Sequence, residues 1–106
     1  MGRSTLGDWE ETVLLALAKL GETYGVPLRH EISAARGEDV SVGALYTALE
    51  RLTKKGFVET WEGEPTAVRG GRRKRFFRIT GAGELALHEK DRSRAALRPD
   101  WLGGAA

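Results

Sequence analysis

The chain has 106 residues, of which 30% are charged and 41% hydrophobic, and its formal net charge is +2. This size and balance predict one globular domain with a modest core and exclude an intrinsically disordered protein. The absence of cysteine excludes disulfides, thiolate catalysis and cysteine-based zinc sites. The longest apolar run, residues 13–18, is too short for a membrane span or a secretory signal, so we expect a cytoplasmic protein without a membrane partner.

The first predicted helix opens at Asp8, whose carboxylate can cap the first turn together with Glu11, and it ends at Gly21. Its apolar residues occupy two faces. One face carries Trp9, Val13, Ala16, Leu17 and Leu20, and the other carries Leu14, Leu15 and Ala18. A helix that is apolar on both sides has to bury both sides. It is therefore either a central core helix or a helix packed between its own core and a partner subunit, with Leu14, Leu15 and Ala18 as candidate dimer contacts.

A short second helix is expected over residues 26–35, because Pro27 suits the first turn of a helix. Gly37 can adopt the left-handed conformation that ends it. Ser41 is then a favourable N-cap for a third helix over residues 42–55.

The third helix is amphipathic. Leu45, Leu49 and Leu52 recur at helical spacing and form a predicted buried stripe, with Val42 and Ala48 beside it. The opposite face carries Gly43, Thr47, Glu50, Arg51 and Lys54, with Tyr46 at its edge. Gly56 is expected to end the helix.

Two strands follow, "FVETWE" over residues 57–62 and "KRFFRIT" over residues 74–80. Alternation along the second strand places Arg75, Phe77 and Ile79 on one face and Lys74, Phe76 and Arg78 on the other. Thr80 is the expected cap of a last helix over residues 81–97, which Pro99 closes. The predicted fold is mainly α with a small β-hairpin, a winged helix-turn-helix with residues 6–80 as the DNA-binding domain, 81–98 as a C-terminal helix and 99–106 as a tail.

The positive charge is local. Residues 63–80 hold six Lys or Arg against Glu64 alone, whereas residues 1–62 hold seven against ten acids. A basic loop between two strands indicates phosphate contact more than solubility. We therefore predict a wing that meets DNA through Arg69, Arg72, Arg73, Lys74 and Arg75 beside the groove that holds the third helix.

For the third helix we predict that Gly43, Tyr46, Thr47 and Arg51 face the major groove, that Ser41 meets a phosphate, and that Lys54 adds positive charge. The simpler interpretations are an ordinary amphipathic helix and a solvated basic loop. Glu50 fits either interpretation, because an acid repels phosphate but can accept a hydrogen bond from a cytosine amino group.

The stretches "GALYTALERLTKKGFVETW" and "EPTAVRGGRRKRFFRITGAGELAL" together resemble the PadR family of bacterial transcriptional regulators, over about residues 6–87. The chain ends soon after one C-terminal helix, like the short single-domain branch of that family. The resemblance implies a homodimer that binds double-stranded operator DNA, commonly as a repressor released by a small apolar or aromatic effector. Dimer contacts would come from the last helix, with Leu85 and Leu97 as candidates, and from the first.

Other classes of function find less support. No phosphate-binding glycine loop, paired catalytic carboxylates or nucleophile motif indicates an enzyme, and no cofactor or metal site is predicted. His30 and His88 are expected at the surface. The three tryptophans are expected to be core or dimer aromatics more than ligand platforms, including Trp101 in the tail. The remaining alternative is a winged-helix module that binds only proteins, without sequence-specific DNA binding.

Overall fold

The computed structural model describes residues 6–65 and 73–102, except for the side chains of Glu64, Pro65 and Arg73. The elements run in the order α1 (Asp8–Leu20), β1 (Thr23–Tyr24), α2 (Gly25–Arg36), α3 (Val42–Lys54), β2 (Val58–Pro65), β3 (Arg73–Ile79), α4 (Gly81–Leu97) and a short 3-10 helix, Asp100–Leu102. This order confirms the predicted winged helix-turn-helix followed by a C-terminal helix.

The sheet has three strands, one more than expected. The order is β1-β3-β2 with both pairings antiparallel, so β3 is the central strand. Thr23 of β1 and Thr60 of β2 both lie opposite Phe77, whose side chain is 1% exposed. The predicted alternation along β3 is confirmed, since Phe77 faces the core while Phe76 lies on the outer face. A strand of two residues carries no periodicity, which explains why β1 was missed.

The cap of α1 differs from the prediction. Gly7 is the N-cap, and the Oε1 atom of Glu10 accepts a hydrogen bond from the Gly7 amide at 3.0 Å. Glu10, not Glu11, stands three residues after this cap, which is the spacing that lets a side chain reach back. The helix ends as predicted at Gly21, where φ is +76°.

The core lies where α1, α2, α3 and the inner face of the sheet meet. It includes the predicted stripe of α3, but Val42 is 52% exposed. Its buried apolar residues are Leu6, Val13, Leu14, Ala16, Leu17, Leu28, Ile32, Val40, Leu45, Ala48, Leu49, Leu52, Phe57, Val58 and Phe77. Leu14 is fully buried in this core, so its assignment to a dimer contact was wrong. It faces the protein's own interior, and only Leu15 and Ala18 of that trio are exposed.

The turn between α2 and α3 is held by specific hydrogen bonds. Gly37 ends α2 with φ +74°, as predicted. The Ser33 hydroxyl accepts from the Val40 amide at 3.1 Å, and Arg29 Nε donates to the Val40 carbonyl at 2.5 Å. The Ser41 hydroxyl caps α3 by accepting from the Ala44 amide at 3.1 Å. The first two of these bonds join α2 to Val40, the residue that precedes the α3 cap.

The C-terminal helix α4 is anchored at its start. The Thr80 hydroxyl accepts from the Gly83 amide at 3.1 Å and donates to the Gly56 carbonyl at 2.7 Å. Most of the helix lies at the surface, with Leu85 58% and Leu97 84% exposed. Within residues 6–65 and 73–102, no helix is long and apolar enough to cross a membrane.

Gly83 marks the closest approach of α4 to the sheet. A Cβ atom there would overlap the Phe57 carbonyl oxygen and would lie 2.8 Å from Ile79 Cγ1. We expect Gly83→Ala to lower the free energy of unfolding by about 1–3 kcal/mol, because backbone cannot move aside as a flexible side chain can. Gly81→Ala, two residues earlier with nothing within 4 Å, should change it by less than about 1 kcal/mol. Urea denaturation at equal protein concentration compares the two, and equal values would contradict the close packing of α4.

Candidate nucleic-acid interface

The exposed face of α3 is a stripe of four residues. Gly43, Thr47, Glu50 and Lys54 recur at spacings of four, three and four, which places them on one side of the helix, and all four are exposed. The opposite side is anchored by Leu45 and Leu49, which are at most 1% exposed. The stripe therefore presents a hydroxyl, a carboxylate and an ammonium group on a helix whose opposite side is buried.

Tyr46 borders this stripe on the side of the sheet. It is 37% exposed, and its ring contacts Phe77 edge-on at a centroid distance of 6.1 Å. Its hydroxyl lies so close to Gly25 that a Cβ atom on that glycine would overlap it. The Tyr46 ring thus packs between α3, β3 and the start of α2. The sequence-based prediction instead had it face the major groove of DNA.

Arg51 borders the stripe on the other side, next to α1. Together with Thr47 it lines a groove of about 490 Å³ between α3 and the N-terminal turn of α1, which contributes Asp8, Trp9 and Glu10. Its charge contributes to lowering the pKa of Glu10. Arg51 is exposed, so it lies at the rim of the predicted surface and not at its centre.

The wing presents one described cation on the inner side of the sheet. Arg75 shares the face of Phe77, with its Cζ atom 5.5 Å from that ring and its Nε donating to the Thr60 hydroxyl at 2.9 Å. Lys74 lies on the outer face, with Nζ 5.0 Å from the Tyr24 ring centroid. Among the other predicted wing contacts, Arg69, Arg72 and the Arg73 side chain lie outside the described residues.

The outer face of the sheet carries a row of aromatic rings. Phe76 stands between Trp61, which stacks on it at 6.0 Å, and Tyr24, which meets it edge-on at 5.6 Å. Arg78 covers Trp61 at 5.3 Å and donates from Nε to Glu59 at 2.8 Å. These cross-strand pairs stabilise the hairpin that carries the wing.

Comparison with known proteins assigns this helix-turn-helix and hairpin to a family. The model of the transcriptional regulator PadR-like family matches residues 13–89. The chain belongs to this family.

Similar proteins are also named as transcriptional regulators or transcription factors. The chain is 37% identical over 83 residues to Transcriptional regulator Rv3488 of Mycobacterium tuberculosis, covering 78% of this chain and 73% of the relative. A crystal structure of a PadR-like transcription factor from Bacteroides fragilis is 26% identical with a TM-score of 0.70, covering 83% of this chain and 81% of that one. A transcriptional regulator from Clostridium thermocellum is 27% identical with a TM-score of 0.67, covering 83% and 82%.

Family membership makes the chain a transcriptional regulator and not an enzyme, which confirms both expectations from the sequence. DNA binding follows as the property that this class of protein implies. Both histidines, His30 and His88, are exposed, as expected.

The N-terminal turn of α1 holds α3 in this PadR-like protein, which sequence reasoning missed. The indole Nε1 of Trp9 donates to the Ala44 carbonyl in the first turn of α3 at 3.2 Å. At the other end of α3, Lys55 Nζ donates to Glu10 Oε1 at 2.9 Å. In each of these two contacts, the residues are more than 30 positions apart in the sequence, so no local pattern could have revealed the contact.

The same turn of α1 also holds α4. Arg94 forms a paired contact with Glu11, from Nη2 to Oε1 at 2.6 Å and from Nη1 to Oε2 at 3.1 Å. Lys90 Nζ donates to the Leu6 carbonyl at 2.6 Å and to Asp8 at 3.2 Å. Helices α3 and α4 are therefore both attached to one short segment, residues 6–11.

The remaining candidate dimer residues are accessible. Leu15 is 52% exposed, and Leu85 and Leu97 are more exposed still. Leu15 and Ala18 line a groove of about 510 Å³ between α1 and α4, together with Leu87 and four charged side chains. The groove therefore combines exposed apolar side chains with charged ones.

The contact between Glu10 and Lys55, which holds the end of α3, depends on the ionisation of Glu10 and therefore on pH. Burial alone would raise the pKa of Glu10, but the hydrogen bonds from Lys55 and the Gly7 amide, with the charges of Lys55 and Arg51, lower it below its ordinary value of 4.5. Because the folded state holds this proton more weakly than the unfolded state, the contribution of Glu10 is complete above about pH 4.5 and is lost as the pH falls through the lower folded value.

We expect Glu10→Gln to lower the free energy of unfolding at pH 7 by about 0.5–1.5 kcal/mol, the net value of a hydrogen-bonded contact. The deficit relative to the native protein should shrink as the pH falls below 4.5. Glu50→Gln, which removes an exposed negative charge from α3, controls for the change in net charge. Chemical denaturation over a pH series measures both variants, and a deficit that stays constant below pH 4.5 would contradict this role.

Proposed function

We propose that this PadR-like protein is a sequence-specific, double-stranded DNA-binding regulator that places α3 in the major groove. The observation that carries the proposal is the exposed stripe of Gly43, Thr47, Glu50 and Lys54 on a helix whose other side is fully buried. A helix of this kind fits the major groove, where each base pair shows a distinct pattern of donors and acceptors.

Each residue of the stripe has a chemically suitable role. The Thr47 hydroxyl can donate to or accept from a base edge, and Glu50 can accept from a cytosine amino group. A Cβ atom on Gly43 would meet only the Ser41 hydroxyl, at 3.7 Å, among the described residues, so internal packing does not require a glycine there. The missing side chain would instead let DNA approach the backbone of α3 closely. Lys54 supplies positive charge toward phosphates.

Contacts around the stripe would position the protein on the duplex. Ser41 uses its oxygen as an acceptor in the helix cap and keeps its hydroxyl hydrogen for a phosphate. Arg51 stands at the α1 side and can reach either a base edge or the backbone. Tyr46 would contact DNA only through the outer part of its ring, since the rest packs on Phe77.

The wing would supply charge that does not depend on sequence. Arg75 lies on the inner side of the sheet, and the segment before it contributes Arg69, Arg72 and Arg73 from the sequence. Cations on a loop beside the major groove suit phosphates and a narrow minor groove. Lys74, which lies on the outer face over Tyr24, is the least favourably placed of the predicted wing contacts.

We also propose that the protein is a homodimer that uses Leu15 and Ala18 of α1 with Leu85 and Leu97 of α4. Large apolar side chains on adjacent exposed helices favour a partner. A second copy would cover them through a two-fold axis, which presents two α3 helices to a palindromic operator. The proposed mode of action is repression in the cytoplasm, with release when a small apolar or aromatic effector changes the spacing of the two α3 helices.

The main test separates sequence discrimination by α3 from sequence-independent binding by the wing. The probes are the duplex that the native protein selects from a randomised library and a random duplex of equal length. We expect Thr47→Ala to lose about 1–3 kcal/mol of discrimination between them. We expect Arg75→Ala to weaken both complexes by similar factors and to make the salt dependence shallower by about one unit of slope per protomer.

Lys19→Ala is the control for loss of one positive charge, because Lys19 pairs with Glu31 at 2.6 Å and belongs to α1. It should leave both the discrimination and the salt slope close to native. If the native protein selects no duplex at all, the alternative of a protein-interaction module is favoured. If Thr47→Ala keeps full discrimination, Thr47 does not read a base.

The dimer gives a separate prediction. Leu15→Glu should convert a native dimer to a monomer at micromolar concentration, because it replaces an apolar side chain of the proposed contact with a charge that dimerisation would bury. Val26→Glu, at a position 60% exposed on α2, is the matched control and should stay dimeric. Sedimentation velocity measures both variants, and a native protein that is already monomeric would contradict the proposed dimer.

A further inference from the structure

We propose that Trp9 is a positioning residue that fixes the orientation of α3 for sequence reading. This inference rests on the proposed function of α3 as the DNA-reading helix. Trp9 itself belongs to α1 and has no predicted contact with DNA. It would act through Ala44, a residue whose own side chain has no part in the predicted surface.

The main evidence for this inference is a hydrogen bond between α1 and the first turn of α3. The Trp9 indole Nε1 donates to the Ala44 carbonyl oxygen at 3.2 Å. Ala44 follows directly after Gly43, the first residue of the exposed stripe, and its amide donates to the Ser41 cap. The contact thus reaches the turn of α3 that also carries the predicted phosphate contact.

The Trp9 ring also touches the other helix of the helix-turn-helix. The guanidinium carbon of Arg36, the last residue of α2, lies 5.2 Å from the ring centroid. Trp9 and Arg36 line a further groove of about 220 Å³ together with Val40, Ser41 and Ala44. The side chain therefore stands against both helices and the turn that joins them.

A hydrogen bond adds what the apolar core cannot supply. Burial of Leu45 and Leu49 holds α3 against the core, but apolar contact is non-directional and tolerates small rotations of the helix. A donor fixed in a rigid indole ring and an acceptor fixed in the helix backbone set both the rotation and the height of the first turn. Lys55 and Glu10 hold the opposite end of α3, so removal of the Trp9 donor frees one end while the helix stays attached.

When the Trp9 hydrogen bond is removed, we expect discrimination between a preferred and a random duplex to fall more than the affinity for DNA in general. Contacts with base edges depend on narrow hydrogen-bond geometry, whereas phosphate contacts made by flexible cations tolerate displacement of the helix. A small rotation of α3 should therefore weaken binding to a preferred duplex and leave binding to a random duplex nearly unchanged.

Trp9→Phe tests this, because it keeps an aromatic ring for Arg36 and the core but removes the N–H donor. Trp61→Phe is the matched control, since Trp61 is also half-buried but stacks on Phe76 on the outer face of the sheet. The probes are the duplex that the native protein selects from a randomised library and a random duplex. We expect Trp9→Phe to lose about two- to tenfold in discrimination, the range equivalent to the net value of one hydrogen bond, and Trp61→Phe to match the native protein.

Two further readouts separate positioning from general destabilisation. The salt dependence of Trp9→Phe should equal that of the native protein, because the same phosphates are contacted. In the native protein the Trp9 indole N–H should exchange more slowly with solvent than that of Trp101, which is 81% exposed. Native discrimination by Trp9→Phe, or equally fast exchange of the two indoles, would overturn the inference. A native protein that selects no duplex would instead contradict the proposed function.

Discussion

The orientation of α3 depends on how the N-terminal turn of α1 holds this helix. Leu45, Leu49 and Leu52 are buried on one side of α3, while the residues of the opposite stripe are exposed among residues 6–65 and 73–102. Apolar burial supplies most of the stabilisation, at about 25 cal/mol for each Å² removed from water. The contacts from Trp9 and Glu10 then fix the two ends of the helix, which apolar burial alone does not do.

The beginning of α1 concentrates acids for a physical reason. Asp8, Glu10 and Glu11 all stand in the first turn, where the helix dipole favours negative charge. Each then receives a cation from another element, with Lys90 at Asp8, Lys55 at Glu10 and Arg94 at Glu11. Glu11 has a side chain only 9% exposed, so loss of its partner would leave a nearly buried charge, a much larger cost than loss of an exposed pair such as Arg36 with Glu38. The polar attachment of α4 to α1 therefore rests mainly on one pair.

Local patterns in the sequence predicted most of the fold, and distant contacts account for what was missed. The limits of α3 and α4, their caps at Ser41 and Thr80, and the alternation along β3 follow from residues within a few positions of each other. The burial of Leu14 could not be predicted from local patterns, because the number of residues that α1 buries depends on how α2, α3 and the sheet surround it. Strand β1 forms because β3 pairs with it from much later in the chain, at Phe77 for Thr23 and Phe76 for Tyr24. The family resemblance correctly indicated the class of protein, but it says nothing of the Trp9 and Glu10 contacts, which depend on this chain's own packing.

Positive charge in the sequence overstates the charge available to DNA. Among the six cations of residues 63–80, Arg78 is bound to Glu59, lies 3.6 Å from Glu22 and covers Trp61 on the outer face of the sheet. Lys74 lies over Tyr24 on that same face. Outside this segment, Lys55, Lys90 and Arg94 are held by the acids of α1. Among the described residues, the remaining exposed cations on and beside α3 are Arg51 and Lys54 of that helix and Arg75 of β3. We expect the strength and the salt dependence of DNA binding to follow these three cations together with Arg69, Arg72 and Arg73, and not the total charge of the chain.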